Sequence, residues 1–196
     1  MHNQVLSIKD ISSATSAAIL GIIPTYKRNI PITQLLVDKS PKSLIAEAFR
    51  SIRTNLQFID GSEGSKIIGV TSTVASEGKT FVTINLAGII AFSEKKVIVL
   101  DLDLRKPKIH LGFNFKNSKG ISTILSNKDS IEDCIQKSTL KNLDVITAGP
   151  IPPNPSELII SKKMDDMIGF LKTKYDILII DNPPVGIVTD GISIIQ

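Results

Sequence analysis

The sequence predicts an α/β fold, a three-layer sandwich in which a mostly parallel central sheet is flanked by helices. Its first sign is residues 67–80, IIGVTSTVASEGKT, where a short β-branched run passes through a polar loop into a helical pattern. Its second sign is a pair of apolar runs, residues 96–102 and 175–181, each with an aspartate towards its carboxyl end. Such runs, alternating with helical patterns, are typical of parallel strands covered by helices. We therefore expect residues 67–70 to form a buried strand.

Length and composition indicate a folded cytoplasmic protein. The chain has 196 residues and 42% apolar content, enough for a full core. Its net charge is +4, and no run of Lys or Arg is dense enough to favour a nucleic-acid or lipid patch, so we expect no nucleic-acid partner. Cys134 is alone, which suits a reducing cytosol. No apolar run approaches the ~18 residues that span a bilayer, and the first residues are too polar for a signal peptide.

The loop at residues 71–80 predicts a phosphate-binding site of the P-loop NTPase type. Gly78, Lys79 and Thr80 follow a strand and a loop and open a helix, as phosphate-binding loops do. In such loops the backbone N–H groups and the helix N-terminus attract phosphate, the lysine neutralises the β- and γ-phosphates, and the hydroxyl binds Mg²⁺. The residues that we expect to contact the nucleotide are Ala75, Ser76, Glu77, Gly78, Lys79, Thr80 and Phe81.

Three aspartates lie where ligands of α/β folds bind, at the ends of the other two predicted strands. Asp101 and Asp103 are separated by one residue, which on a strand puts both side chains on one side. They are either a metal ligand and a proton acceptor or simply acidic residues in a loop. Asp181 follows a buried run directly, which is the Walker B pattern of a carboxylate that holds Mg²⁺.

The remaining segments predict an N-terminal arm and one domain. We expect residues 1–40 to be a linker or arm and residues 41–196 to be the domain. Residues 43–59 carry apolar side chains at spacings of four and three, which predicts a helix with one apolar stripe. Residues 156–172 predict another helix, capped by Ser156. The proline-rich turn before it, GPIPPNPSELI at residues 149–159, either walls a base pocket or is a stiff loop.

The helix at residues 43–59 carries Glu47, Arg50 and Arg53 on a polar face turned away from its apolar stripe. An acid–base pair three residues apart stabilises an exposed helix by about 0.2–0.5 kcal/mol. The alternative is a contact surface for a neighbouring subunit. The spacing alone favours the first interpretation.

Together these motifs resemble those of the bacterial tyrosine kinases of capsule and exopolysaccharide synthesis. The resemblance covers about residues 20–196, and it implies autophosphorylation on tyrosine with ATP and Mg²⁺, one subunit of a ring phosphorylating the next. The segments that carry it, in order, are EAFRSIRTNL, TSTVASEGKT, NLA, VIVLDLDLRKP, TAGPIPPNPSELI and YDILIIDNPPVGIVTDG. It implies as partners ATP or ADP and tyrosine-containing protein substrates.

The resemblance also implies roles for individual residues. The catalytic set is Lys79, Asp101, Asp103 and Asp181, the magnesium ligands are Thr80, Asp101 and Asp181, and Arg105 is a further nucleotide contact. Either Asp101 or Asp103 receives the tyrosine proton, and the expected nearness to the metal favours Asp101. Glu47, Arg50 and Arg53 match the E-x-x-R-x-x-R motif through which the family builds rings, so an interface role is now favoured.

The segment LGIIP at residues 20–24 is similar to the stretch that precedes the kinase domain in members fused to a membrane-spanning chain-length regulator. It implies a membrane-anchored polysaccharide chain-length or activator protein as a partner. The protein would then lie at the inner face of the cell membrane.

Three departures from the family pattern stand out. Ala75 and Ser76 replace the usual Pro-Gly, and a Cβ at Ser76 costs ~1 kcal/mol or more if that position needs a positive φ. The usual C-terminal tyrosine cluster is missing, and the chain has only Tyr26 and Tyr175. The family domain continues with further strands, so we expect a truncated chain with an exposed apolar sheet edge.

Two other functions remain open. A partition- or septum-site-type ATPase would carry a second, signature lysine at the position of Val74, and its absence argues against that class. A nucleotide-binding or adaptor module without kinase activity is the other alternative, because the loop is altered and the tyrosine tail is missing.

Overall fold

The computed structural model describes residues 7–26, 34–59 and 63–185. The end of the resemblance, residues 186–196, lies outside these ranges. The described elements are, in order, α1 (Ile8–Ala14), α2 (Leu36–Lys39), α3 (Leu44–Ile59), β1 (Lys66–Val70), α4 (Lys79–Ala91), β2 (Val97–Asp101), α5 (Ile109–Phe113), α6 (Ile121–Leu125), α7 (Ile131–Cys134), β3 (Gln136–Lys137), β4 (Leu143–Ile146), α8 (Pro155–Ile159), α9 (Lys162–Lys172) and β5 (Ile177–Asp181).

The sheet is mostly parallel, as the sequence predicts. Its five described strands have the order β1-β5-β2-β4-β3, and only β3 runs antiparallel, along β4. β5 lies between β1 and β2, with Val70 and Asp101 both in register with Asp181. The carboxyl ends of these three strands are therefore level, and whatever follows them meets at one edge.

Helices cover both faces of the sheet, which confirms the three-layer sandwich. Along β2, Val97 and Val99 face a core built with α2, α3 and α4, whereas Ile98 and Leu100 face a second core built with α6 to α9. This alternation is the period of two that a strand imposes. β2 is buried along its whole length, as expected of a central strand.

The prediction of a buried strand at residues 67–70 is wrong. β1 pairs only with β5 among the described residues, and its side chains are only partly buried or exposed. Ile67 is 45% exposed. A short β-branched run is typical both of a central strand and of a strand at the edge of a sheet. The sequence pattern does not indicate how many neighbouring strands the segment has.

Two predicted helices differ in detail from those observed. α3 buries Ile45, Phe49 and Ile52, and Leu56 packs partly buried on the same core, but Ile59, the last member of the predicted stripe, is 60% exposed. The single helix predicted over residues 156–172 is two helices, since Ser161 has an extended backbone at the start of α9. α8 begins at Pro155, so Ser156 lies inside the first turn and does not cap it.

The segment predicted as an N-terminal arm contributes to the core. α1 buries no residue, but Leu20 and Ile23 pack on the first core, and Leu36 and Val37 of α2 are buried in it. In the described part of the chain, no helix is both long and apolar enough to cross a bilayer.

Asn85 joins α2 to α4. Its Oδ1 accepts the backbone N–H groups of Leu36 at 2.8 Å and Val37 at 3.1 Å. Its Nδ2 donates to the carbonyl oxygens of Gln34 and Phe81, both at 2.9 Å. Asn85 is fully buried, so water cannot replace these partners.

We predict that Asn85→Ala lowers the free energy of unfolding by about 2–4 kcal/mol, because two buried N–H groups lose their acceptor. Urea unfolding followed by circular dichroism measures the loss. The control is Asn55→Ala, which removes one exposed hydrogen bond to the carbonyl of Leu20 and should cost below about 1 kcal/mol. Equal losses in the two variants would contradict the role given to Asn85.

Candidate functional site

The loop between β1 and α4 is braced on two sides. The carboxylate of Glu77 folds back and accepts the backbone N–H groups of Thr73 at 2.9 Å and Val74 at 3.2 Å. The hydroxyl of Thr71 donates to the carbonyl of Pro183 at 2.9 Å, in the segment that follows β5. These bonds hold the loop in one conformation over the carboxyl ends of the strands.

Two loop residues have a left-handed backbone. Gly78 has φ +91° and stands just before α4, where glycine has no steric cost. Ser76 has φ +71°, so the condition under which its Cβ would carry a steric cost is met. A side chain in that region costs about 1–2 kcal/mol relative to glycine, so the loop carries strain at Ser76.

Lys79 lies between two of the predicted aspartates. Its Nζ is 3.1 Å from Oδ1 of Asp181 and 3.8 Å from Oδ2 of Asp103. The lysine side chain is 8% exposed, so the ion pair is poorly screened by water. The predicted catalytic residues Lys79, Asp103 and Asp181 are thus brought together.

Asp181 also accepts two hydroxyl groups from α4. Thr80 donates to Oδ2 at 3.0 Å and Thr83 to Oδ1 at 2.9 Å. Burial raises the pKa of Asp181, and the charge of Lys79 opposes that rise. Thr83 was not among the predicted site residues, although it stands four residues after Lys79 and therefore on the same face of the helix.

Asp101 has a different environment from Asp103. Its two carboxylate oxygens accept backbone N–H groups, Oδ1 that of Asp103 at 3.2 Å and Oδ2 that of Ile109 at 3.1 Å. Burial, followed by the nearby charge of Asp181, raises the pKa of Asp101 to about 8. Asp103, beyond the end of β2, lines the cavity described next. Asp101 was expected to accept the proton of a substrate hydroxyl, but both of its carboxylate oxygens already accept backbone N–H groups.

A cavity of about 320 Å³ lies under the loop. Its volume is within the range of small-molecule sites. The residues that line it are Gln34, Ser72, Ala75, Ser76, Gly78, Lys79, Thr80, Phe81, Asp103, Arg105, Lys106, Lys108, Pro183 and Pro184. The lining includes four cationic side chains and one carboxylate, so the cavity has a net positive charge that suits a polyphosphate.

Most of the predicted nucleotide contacts line this cavity, but Glu77 does not, because its carboxylate is turned towards Thr73 and Val74. No residue of the proline-rich turn at 149–159 lines it either. The turn reaches the site indirectly, since Arg105 donates to the hydroxyl of Ser156 at 3.0 Å. The prolines beside the cavity are Pro183 and Pro184, which follow β5.

The site fits a magnesium–nucleotide complex. Thr80 and Asp181 bring a hydroxyl and a carboxylate oxygen within 3.0 Å of each other, and oxygens are the ligands that Mg²⁺ prefers. Lys79 stands beside them, and the first turn of α4 faces the cavity with its N-terminus. Fold and site together define a P-loop nucleotide-binding protein.

The comparison with known proteins gives the family. A family model described as an AAA domain matches residues 65–192. The putative tyrosine-protein kinase CapB of Staphylococcus aureus is 40% identical over 165 residues, which cover 84% of this chain and 72% of CapB. The tyrosine-protein kinase YwqD of Bacillus subtilis is 43% identical over 151 residues, 77% of this chain and 64% of YwqD. The chain belongs to the family of bacterial tyrosine kinases, and it spans just under two thirds of YwqD.

Solved structures agree. The chimerical protein CapA2B2 is 39% identical with a TM-score of 0.87, over 94% of this chain and 79% of that one. The septum-site protein MinD of Pyrococcus horikoshii, solved with Mg-ADP, is 26% identical with a TM-score of 0.56, over 66% and 53% of the two chains. The resemblance seen in the sequence is confirmed, and the septum-site alternative is not favoured.

The motif on α3 has mixed contacts. Glu47 and Arg50 form the expected ion pair, and Arg50 also donates to the carbonyl of Pro41 at 2.7 Å. Arg53 donates to the carbonyl of Ile89 in α4 at 3.1 Å. Its guanidinium is therefore turned towards the domain, contrary to the prediction that all three side chains face away from it.

We predict that Ser76→Gly raises the free energy of unfolding by about 0.5–1 kcal/mol, because glycine removes the left-handed strain while it loosens the unfolded chain. Chemical denaturation measures the gain. Ala75→Gly is the matched control, since the φ of Ala75 is not positive. That variant should lose stability, and a loss in both variants would show that Ser76 is not strained.

Proposed function

We propose that this chain is an ATP-dependent protein-tyrosine kinase that acts on polysaccharide synthesis and export. The observation that carries the proposal is the contact of Lys79 and Thr80 with Asp181 beside a cationic cavity. Membership of the tyrosine kinase family supports it. The reaction breaks the bond between the γ-phosphorus and its bridging oxygen and forms a bond to the tyrosine oxygen. The phenolic proton goes to a carboxylate, and ADP leaves.

Each site residue has a role that follows from its contacts. Lys79 is held in place by Asp181 and bears its charge against the β- and γ-phosphates. Thr80 and Asp181 would hold Mg²⁺, which, when bound, neutralises charge on the phosphate oxygens. Arg105 extends the positive wall of the cavity.

We propose Asp103 as the proton acceptor in preference to Asp101. Asp103 lines the cavity and lies 3.8 Å from the Nζ of Lys79. Both oxygens of Asp101 are already engaged by backbone N–H groups, which position the chain after β2. Asp101 then acts as a positioning residue that keeps Asp103 at the cavity and remains a candidate metal ligand.

We propose that the tyrosine comes from another molecule, because Tyr26 packs partly buried on the first core and neither Tyr26 nor Tyr175 lines the cavity. Tyr175 donates its hydroxyl to Asp144 at 2.8 Å and precedes β5, at the edge of the sheet opposite the cavity. Burial, followed by this hydrogen bond, raises the pKa of its phenol. Within the proposal, a membrane-anchored chain-length or activator protein recruits the chain to the inner face of the membrane.

We predict that the purified chain phosphorylates a tyrosine-rich peptide with Mg-ATP and that Lys79→Met reduces the rate by about 10²-fold or more, because it removes a positive charge from the phosphates. Phosphotyrosine detection measures the rate. Equal activity in Lys79→Met would disprove the proposed site.

The same assay distinguishes the proposed roles of Asp101 and Asp103, and it distinguishes a kinase from a nucleotide-binding adaptor. Asp103→Asn should reduce the rate at near-normal ATP affinity, as expected for a lost proton acceptor. Asp101→Asn should reduce stability and rate together. Tight ATP binding with no phosphotyrosine, in the wild-type chain as well as in the variants, would leave the nucleotide-binding adaptor as the function.

We further propose that the chain assembles into a ring through α3. The exposed Glu47 with Arg50 is the part of the motif available to a neighbour, whereas Arg53 supports the helix from behind. Paired Glu47→Ala and Arg50→Ala substitutions should lower the sedimentation coefficient at micromolar concentration. The control is Lys162→Ala with Asp165→Ala, two exposed residues of α9, which also removes one positive and one negative charge. A wild-type chain that stays monomeric would refute the ring.

A further inference from the structure

Lysines collect at the amino ends of the strands, the edge opposite the nucleotide cavity. Because four of the strands are parallel, residues that precede them in sequence meet at one edge of the sheet. Each of these four strands begins with, or closely follows, a lysine. The lysines are Lys66 for β1, Lys95 and Lys96 for β2, Lys141 for β4, and Lys172 and Lys174 for β5. Lys137 on antiparallel β3 pairs with Asp144 near the start of β4 and joins them.

These side chains line two adjoining depressions of about 660 and 500 Å³. Among the described residues that line them, seven lysines face three carboxylates, which are Glu94, Asp144 and Asp176. Asp144 accepts the hydroxyl of Tyr175, and Asp176 accepts the backbone N–H of Lys96 at 2.7 Å. All of the lysines but Lys66 are exposed. The surface therefore has a positive excess that is open to solvent.

Helix dipoles explain only part of this arrangement. Cations near the C-terminus of a helix are stabilising, which accounts for Lys172 at the end of α9 and for Lys95 after α4. Lys174 has partners of its own, Glu132 at 3.8 Å and the ring of Phe170 at 4.4 Å. Neither effect accounts for Lys137, which is in β3, or for Lys141, which precedes β4. A surface that concentrates positive charge beyond what the helices use is suited to a polyanionic partner.

The chemistry of the surface favours a lipid membrane over nucleic acid. No arginine is among the described lining residues, and arginine is the residue that reads phosphates and bases with a rigid fork. Tyr175 is the one aromatic residue among the described lining residues, whereas single-stranded nucleic acids are bound by several aromatic side chains on which successive bases stack. Clusters of about four to eight lysines are typical of proteins held at anionic headgroups.

We propose that this lysine surface, formed by Lys66, Lys95, Lys96, Lys137, Lys141, Lys172 and Lys174, binds directly to an anionic phospholipid membrane. Strands of five residues separate it from the carboxyl edge, about 15 Å at ~3.3 Å per residue. A chain bound in this way keeps its nucleotide cavity on the side facing away from the bilayer. The inference does not depend on kinase activity, because none of these lysines belongs to the nucleotide cavity.

The test is flotation of the full chain with phosphatidylcholine vesicles that contain phosphatidylglycerol, beside vesicles of phosphatidylcholine alone. We expect binding to the anionic vesicles only, and loss of binding as salt shortens the Debye length from about 10 Å at 0.1 M to about 3 Å at 1 M. Lys95→Glu with Lys172→Glu should weaken binding by about tenfold or more. The matched control is Lys42→Glu with Lys162→Glu, exposed lysines that line neither depression, and it should bind like the wild type.

A second pair, Lys137→Glu with Lys141→Glu, repeats the test from β3 and β4 if the first pair does not fold. Thermal unfolding and ATP binding check that each variant is intact. Absent binding to anionic vesicles, or equal losses in surface and control variants, overturns the proposal. Tighter binding to a DNA or RNA oligomer at the same salt, lost in the same variants, also overturns it and makes the surface a nucleic-acid site.

Discussion

A single buried carboxylate, that of Asp181, organises the site. It is 1% exposed and stands at the end of β5, the strand that pairs with both β1 and β2. Lys79, Thr80 and Thr83 all direct polar atoms at it from the first turns of α4. Removal of one partner from such a buried pair costs about 3–5 kcal/mol, so the carboxylate fixes where α4 begins. The position of α4 in turn fixes the loop and its cavity.

The parallel sheet separates charge along the molecule. Aspartates end β2 and β5, and lysines begin or precede β1, β2, β4 and β5. With strands of about 15 Å between them, the two edges are more than a Debye length apart at physiological ionic strength. A nucleotide at one edge and a charged surface at the other therefore act with little direct electrostatic coupling. The two proposed binding sites, for a nucleotide and for an anionic membrane, thus lie at opposite edges of one sheet.

The sequence predicts the sheet, the loop and most of the cavity, because these depend on local patterns. Gly78, Lys79, Thr80 and Asp181 occur in short motifs whose geometry is fixed by the strand or helix that carries them. The features that the sequence does not predict are those that depend on which distant segments of the chain become neighbours in the fold. β1 is exposed because of its place in the strand order, and Arg53 turns inward because α4 offers the carbonyl of Ile89. The lysine surface is likewise invisible as a run, since its members are far apart in sequence.

The replacement of Pro-Gly by Ala75 and Ser76 in the loop is weaker evidence against a working site than the sequence alone suggests. The left-handed backbone of Ser76 costs about 1–2 kcal/mol. Against this, the carboxylate of Glu77 accepts two backbone N–H groups within the loop, at 2.9 and 3.2 Å. The bond from Thr71 to Pro183 adds a tie to the segment after β5. These contacts connect both ends of the loop to their surroundings with serine at this position, and the cavity beneath the loop is lined by Lys79 and Thr80.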